Sequence, residues 1–179
     1  MRIEQNYFTL LGLPETFQID SERLAENYRA LQRELHPDRF AHASEQEQRL
    51  AVQYSAHLND AQATLRSSLR RALYLLQLRG HPVREDDRRP MAPAFLMQQM
   101  ELREELEAVE GSADPEQALA VLERHAARLR RATETEFERS LTQGDEAGLL
   151  AAVDRARELQ FLDKLQREIE QLDERLTDY

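Results

Sequence analysis

Apolar residues in the first third of the chain repeat at helical spacing. Leu24, Tyr28, Leu31 and Leu35 are spaced by four, three and four, one stripe at ~100° per residue. Asp20 is a good N-cap for this helix, and Pro37 stops it, because the residue before a proline resists helical geometry. Ser44 with Glu47 has capping-box spacing and opens a partner helix with stripe Leu50, Tyr54, Leu58, Ala61 and Leu65. The two stripes predict an antiparallel hairpin with residues 37–43 as its loop. Before it, Asn6 to Gly12 reads as a short helix, capped by Asn6, ended by Gly12 and followed by an extended Leu13-Pro14 exit. After it, Ser68 caps a helix from Leu69 to Arg79 that Gly80 ends, with Leu69, Ala72, Leu73 and Leu76 as its apolar face.

Residues 81–93 contain three Pro and no apolar periodicity, and read as a linker. Three longer helices follow. The first runs from Pro93 to Glu110. The second opens at Asp114-Pro115-Glu116-Gln117 and runs to about Thr142, before Gly144. The third starts near Asp145, and its seam is Leu162, Leu165, Ile169, Leu172 and Leu176. No strand pattern occurs. The expected fold is all-α: a hairpin with short flanking helices over residues 1–80, a linker at 81–93, and an antiparallel three-helix bundle over 94–179.

Composition agrees. Of 179 residues 41% are apolar and 32% charged, which favours long helices with narrow buried stripes. The formal net charge is −10. Residues 1–80 hold ten Arg and ten acids; residues 81–179 hold fourteen cations and twenty-four acids. The halves therefore present different surfaces, and nucleic acid is a poor partner because phosphate binding needs clustered cations. Cys is absent, so thiolate metal sites and Cys nucleophiles are excluded. No run of 18 apolar residues suits a membrane, and no apolar stretch follows the N-terminal charge as in a secretory signal. The expectation is a cytoplasmic protein.

The loop after the first long helix carries His36-Pro37-Asp38. Proline stiffens it, Asp38 offers an anionic acceptor suited to a partner arginine, and His36 can donate and accept. The same tripeptide also suits an Asx-type turn, with His36 as a C-terminal cap. Arg29 and Arg33 sit one turn apart, off the apolar stripe, with Arg23 further up. They fit either a basic docking face or a solvated face with intrahelical pairs such as Arg29 to Glu26. In the second half, Phe95, Leu102, Leu106 and Val109 fall in one narrow sector. Leu96, Met97 and Met100 fall well outside it, on a face shared with Glu104 and edged by Glu101. That second stripe is buried by a third element or exposed for a partner.

Residues 6–80 resemble a J domain. More narrowly, Tyr7-Phe8-Thr9-Leu10-Leu11-Gly12-Leu13-Pro14 and His36-Pro37-Asp38-Arg39-Phe40 resemble the HscB family. So do Ala94 to Leu106 (AFLMQQMELREEL) and Phe161-Leu162-Asp163-Lys164-Leu165. The resemblance implies a co-chaperone of iron–sulfur cluster assembly. Its J domain would stimulate ATP hydrolysis by the DnaK-type chaperone HscA, through His36, Pro37, Asp38, Arg29, Arg33 and Arg39. Its bundle would bind the scaffold protein IscU through Leu96, Met97, Met100, Glu101, Glu104 and Phe161. Arg39 departs from the Lys that J domains most often carry; charge is kept, hydrogen-bond geometry is not. Phe161 lies at the edge of the Leu162, Leu165 and Ile169 seam, so periodicity leaves it between core and interface.

Enzyme chemistry finds no support. The five His form no i, i+4 pair, and no His-Glu-x-x-His, Gly-rich phosphate loop or Gly-x-Ser-x-Gly elbow occurs. No catalytic residue, metal or cofactor is expected, and ATP hydrolysis would belong to the partner. Two rivals remain. A general J-protein presenting other clients would carry a Gly/Phe-rich linker and Cys-rich zinc repeats. A helical scaffold without a chaperone role would not need the helix stop and stiff loop around Asp38.

Overall fold

The structure is a computed structural model that describes residues 5–84 and 89–177. Residues 85–88 of the expected linker, and 178 and 179 at the end of the expected bundle, lie outside the described residues. The described residues form seven α-helices and no strand. They are α1 Tyr7–Leu10, α2 Ser21–Leu35, α3 Glu45–Arg66, α4 Ser68–Leu78, α5 Pro93–Val109, α6 Pro115–Gln143 and α7 Glu146–Thr177. The fold is all-α, as expected. Two compact units divide the chain, one up to Leu75 and one from Leu76, so the division falls within α4.

The first unit is the helical hairpin with its flanking helices. Asn6 accepts from the Thr9 amide at 2.9 Å and Asp20 from the Glu22 and Arg23 amides at 3.0 Å, so both helix starts carry side-chain caps. Gly12 takes φ +62°, and the Asn27 amide donates to the neighbouring Leu11 carbonyl at 2.7 Å. α3 opens with the full Ser44–Glu47 capping box. The hairpin core contains Leu24, Ala51, Leu58, Ala61 and Leu65, with Phe8, Leu11 and Phe17 also buried. Leu50 is exposed, against expectation. Heptad steps back from Leu65 and Leu58 land on Ala51, and Leu50 sits ~100° away from that line.

α4 differs in two details. Its cap is Ser67, whose hydroxyl accepts from the Arg70 amide at 3.3 Å, because Ser67 is the extended residue between α3 and α4. Its fully buried residues are Ala72, Leu75 and Leu76, while Leu69 and Leu73 are half-buried. Arg71 is buried beside them. It donates to the Phe17 carbonyl at 2.7 Å and to the Leu65 carbonyl, with its guanidinium 5.1 Å over the Phe17 ring. A buried cation is tolerated here because backbone acceptors and an aromatic face replace its water.

The second unit is the three-helix bundle. Leu102 and Val109 of α5, Leu119, Leu122 and Ala126 of α6, and Leu162, Leu165, Ile169 and Leu172 of α7 form one cluster. Asp114 caps α6 by accepting from the Gln117 amide at 3.0 Å. Gly144, at φ +73°, ends α6 one residue later than the pattern indicated. At Gly148 α7 approaches α6 closely, since a Cβ there would lie 2.7 Å from the Ser140 carbonyl oxygen. Cross-helix polar contacts join all three helices: the Arg103 to Glu168 and Arg130 to Asp163 ion pairs, the latter at 3.4 Å, and a Glu105 to His125 hydrogen bond at 2.9 Å.

Glu158 of α7 is the buried acid, 2% exposed, with Arg155 at 2.8 Å. Burial raises its pKa to about 7; Arg155 opposes the shift and Asp154 adds to it. The folded state therefore favours the protonated acid, and stability falls as pH rises from the ordinary value of 4.5 through 7. Thermal denaturation at about pH 5 and about pH 8 tests this. The wild-type chain should lose at most about 3 kcal/mol from this group over that window. Glu158→Gln should show a correspondingly flatter profile, and identical profiles for the two proteins would contradict the assignment.

Candidate functional site

α2 ends at Leu35. His36 is extended, at φ −60° and ψ 128°, and within the expected loop residues 37–40 form a single 3-10 turn. The side chain of Pro37 lies outside the described residues. His36 Nδ1 accepts from the Asp38 amide at 3.3 Å, which puts the proton of the neutral ring on Nε2. The same nitrogen lies 3.5 Å from Asp38 Oδ2. The Asp38 side chain is 89% exposed. Its carboxylate is displayed to solvent, available to an incoming cation.

The basic helix face meets this turn. Gln32, Arg33, His36 and Arg39 line one cleft, and Arg29 lies one turn up α2. Arg29 and Arg33 are exposed, and among the described residues neither forms a salt bridge, so the Arg29 to Glu26 pair does not form. Arg39 has a structural task that its sequence position did not suggest. Its guanidinium donates to the Arg33 carbonyl at 3.2 Å, satisfying one of the acceptors left over at the end of α2.

α5 carries the second candidate face. Phe95, Leu102 and Val109 are buried, while Leu96 is 44%, Met97 63% and Met100 62% exposed. Glu101 and Glu104 are exposed beside them. The bundle uses one stripe of α5 and leaves the other in solvent. Phe161 of α7 falls between the alternatives. It is half-buried against the bundle core, edge-on to Phe95 at 5.8 Å and 87°. Arg103 covers its ring, with the guanidinium 5.5 Å from the centroid. Arg103 stands three residues after Met100 and seven after Leu96, so it continues the exposed stripe toward Phe161. Periodicity alone gave no reason to single it out.

Similarity to known proteins covers both units. Residues 91–170 match the family model for the HSCB C-terminal oligomerisation domain. Curated co-chaperone protein HscB homologs from strains of Vibrio cholerae serotype O1 are 44% identical over 171 residues, 96% of this chain and 98% of theirs. The chain belongs to the HscB family of co-chaperones. The structure of chaperone HscB from Vibrio cholerae superposes with a TM-score of 0.84 at 44% identity, covering 96% of this chain and 99% of that one. Human co-chaperone protein HscB gives 0.86 at 26% identity, covering 97% and 84%. The hairpin unit and the three-helix bundle are consistent with the J domain and C-terminal bundle that the resemblance implied.

Among the described residues no three His, Asp or Glu are placed to hold a metal ion. Among the same residues no helix is long and apolar enough to cross a membrane. The described residues present an exposed carboxylate on the turn after a helix with exposed arginines, and a stripe of exposed apolar side chains edged by acids.

The α5 stripe and Phe161 should separate in stability. Leu96→Ala with Met100→Ala leaves the buried sector intact and should change stability by about 0.5 kcal/mol per site or less. Phe161→Ala removes a ring packed on the core and should cost about 2 kcal/mol. Melting temperatures of the two variants check the ranking; a double variant less stable than Phe161→Ala would place the stripe in the core.

Proposed function

We propose that the chain is a cytoplasmic co-chaperone of iron–sulfur cluster assembly that stimulates ATP hydrolysis by the DnaK-type chaperone HscA and delivers IscU to it. Residues 1–80 act as the J domain, 81–93 as the linker and 94–179 as the scaffold-binding bundle. The observation that carries the reading is the Asp38 carboxylate, 89% exposed on the turn after the helix that carries the exposed Arg29 and Arg33, on a chain that also exposes Leu96, Met97 and Met100.

The chemistry follows from those groups. Arg29, Arg33 and the turn steer the J domain onto an acidic face of HscA, and Asp38 accepts a charge-assisted bond from a cation there. Binding a hydrolysis-competent state better than its alternative shifts the ATPase toward hydrolysis. Met97 and Met100 adapt to the surface of IscU, Leu96 and Phe161 add apolar area, and Glu101 and Glu104 add a polar rim. Carrying both surfaces on one chain raises the effective concentration of IscU at HscA. The chain itself catalyses no step.

Single-turnover ATPase assays with HscA and IscU, added separately and together, test both surfaces. Asp38→Asn should abolish stimulation with an unchanged circular dichroism spectrum. Full stimulation by this variant at saturating concentration would overturn the J-domain mechanism. Leu96→Ala with Met100→Ala should weaken IscU binding on the order of tenfold or more, while stimulation by the J domain alone persists. Undiminished IscU affinity would remove the α5 stripe from the interface.

A further inference from the structure

The turn that displays Asp38 has little of its own to hold it. Its internal hydrogen bonds are local: the Asp38 amide to His36 Nδ1 at 3.3 Å, the Arg39 amide to the His36 carbonyl at 3.0 Å, the Ala41 amide to the Asp38 carbonyl at 3.3 Å, and the Ala43 amide to the Phe40 carbonyl at 2.9 Å. Ala41 and Ala43 bring no polar side chain to the segment. Two longer side chains tie it to the hairpin. Arg39 fastens the turn to the last turn of α2 through the Arg33 carbonyl. Gln48 does the equivalent from α3.

Gln48 is the fourth residue of α3, and its own amide already bonds to the Ser44 carbonyl at 3.0 Å. Side chains on a helix lean toward its N-terminus, so a long amide here reaches back over the entering chain. It meets the Ala41 carbonyl at 3.2 Å and the Ala43 carbonyl at 3.0 Å, and the Gln48 Nε2 group donates to both. Both protons of the amide are thus directed at the connecting backbone. The adjacent Ser44–Glu47 box fixes where α3 begins. The clamp therefore rests on a defined helix end. Exposed hydrogen bonds add little to global stability, but they restrict a short segment that would otherwise sample several conformations.

We infer that Gln48 is a positioning residue for the activating turn, holding residues 41–43 so that Asp38 is presented to the ATPase in one orientation. This rests on the reading of the turn as the ATPase-activating site. Gln48 acts through the backbone of the loop and carries no charge to a partner. Loosening the clamp lowers the fraction of molecules whose turn is ready to bind, and apparent affinity falls by that fraction while the bound state is unchanged.

The test is ATPase stimulation of the DnaK-type partner, titrated with the full-length wild-type chain, Gln48→Ala, Gln48→Lys and Asp38→Asn. Gln48→Ala should raise the half-maximal concentration about three- to tenfold and leave maximal stimulation unchanged. Gln48→Lys restores a flexible donor of similar reach and should recover most of the loss. Amide hydrogen exchange at Ala41 and Ala43 should accelerate in Gln48→Ala while the rest of α3 keeps its protection. An unchanged half-maximal concentration for Gln48→Ala, with Asp38→Asn inactive, would overturn the inference and leave the function intact. A drop in maximal stimulation, or failure of Lys to rescue, would also overturn it. Asp38→Asn with full activity would instead overturn the functional reading itself.

Discussion

The seam of Leu162, Leu165, Ile169 and Leu172 along α7 carries the second unit. These four side chains are all but fully buried, and both α5 and α6 pack onto them. A helix that serves two neighbours must offer a wide apolar face, and α7 does so by repeating Leu and Ile at heptad spacing. Its neighbours then need only one stripe each. α5 meets the core with Phe95, Leu102, Leu106 and Val109, and Leu96, Met97 and Met100 lie off that stripe. The exposure of Leu96, Met97 and Met100 is therefore a consequence of how completely α7 satisfies the bundle.

The same economy governs the hairpin. Leu24, Leu58, Ala61 and Leu65 close the apolar interior of the first unit, and the charged remainder faces water. Proline at position 37 ends α2 in register with that interior, so the chain turns where the stripe runs out. His36 becomes extended, Asp38 is lifted out on a 3-10 turn, and Arg29 and Arg33 are left on the outer face of the helix that leads to it. Packing needs and display needs coincide at one residue.

Polar groups refine both units. Arg71 is buried but bonded to carbonyl oxygens on either side of it, which ties the segment around Phe17 to the end of α3. Arg103, Glu105 and Arg130 link the bundle helices pairwise at their margins, where solvent weakens each pair but geometry still fixes register. Glu158 stands apart, because its burial is only partly compensated by Arg155 and its pKa is pushed up to about 7. Arg39 and Gln48 do for the turn what caps do for helices, giving carbonyl oxygens the donors that the main chain lacks.

Most of the architecture was legible along the chain. The helices, the caps at Asn6, Asp20, Ser44 and Asp114, the stops at Gly12, Pro37, Gly80 and Gly144, and the two stripes of α5 all follow from local rules of period and backbone preference. Those rules act over one or two turns, so they are written in consecutive residues. Tertiary structure decided what depends on distant neighbours. Ala51 rather than Leu50 faces the hairpin interior, because the line is set by Leu58 and Leu65 in the packed helix pair. Phe161 is half-buried because Phe95 and Arg103, far earlier in the chain, cover its ring. Arg71, Glu158 and Gln48 read as ordinary polar residues of helices until the fold surrounds the first two and brings loop carbonyls within reach of the third. A residue's period states which way it points; only the assembled neighbours determine what it meets.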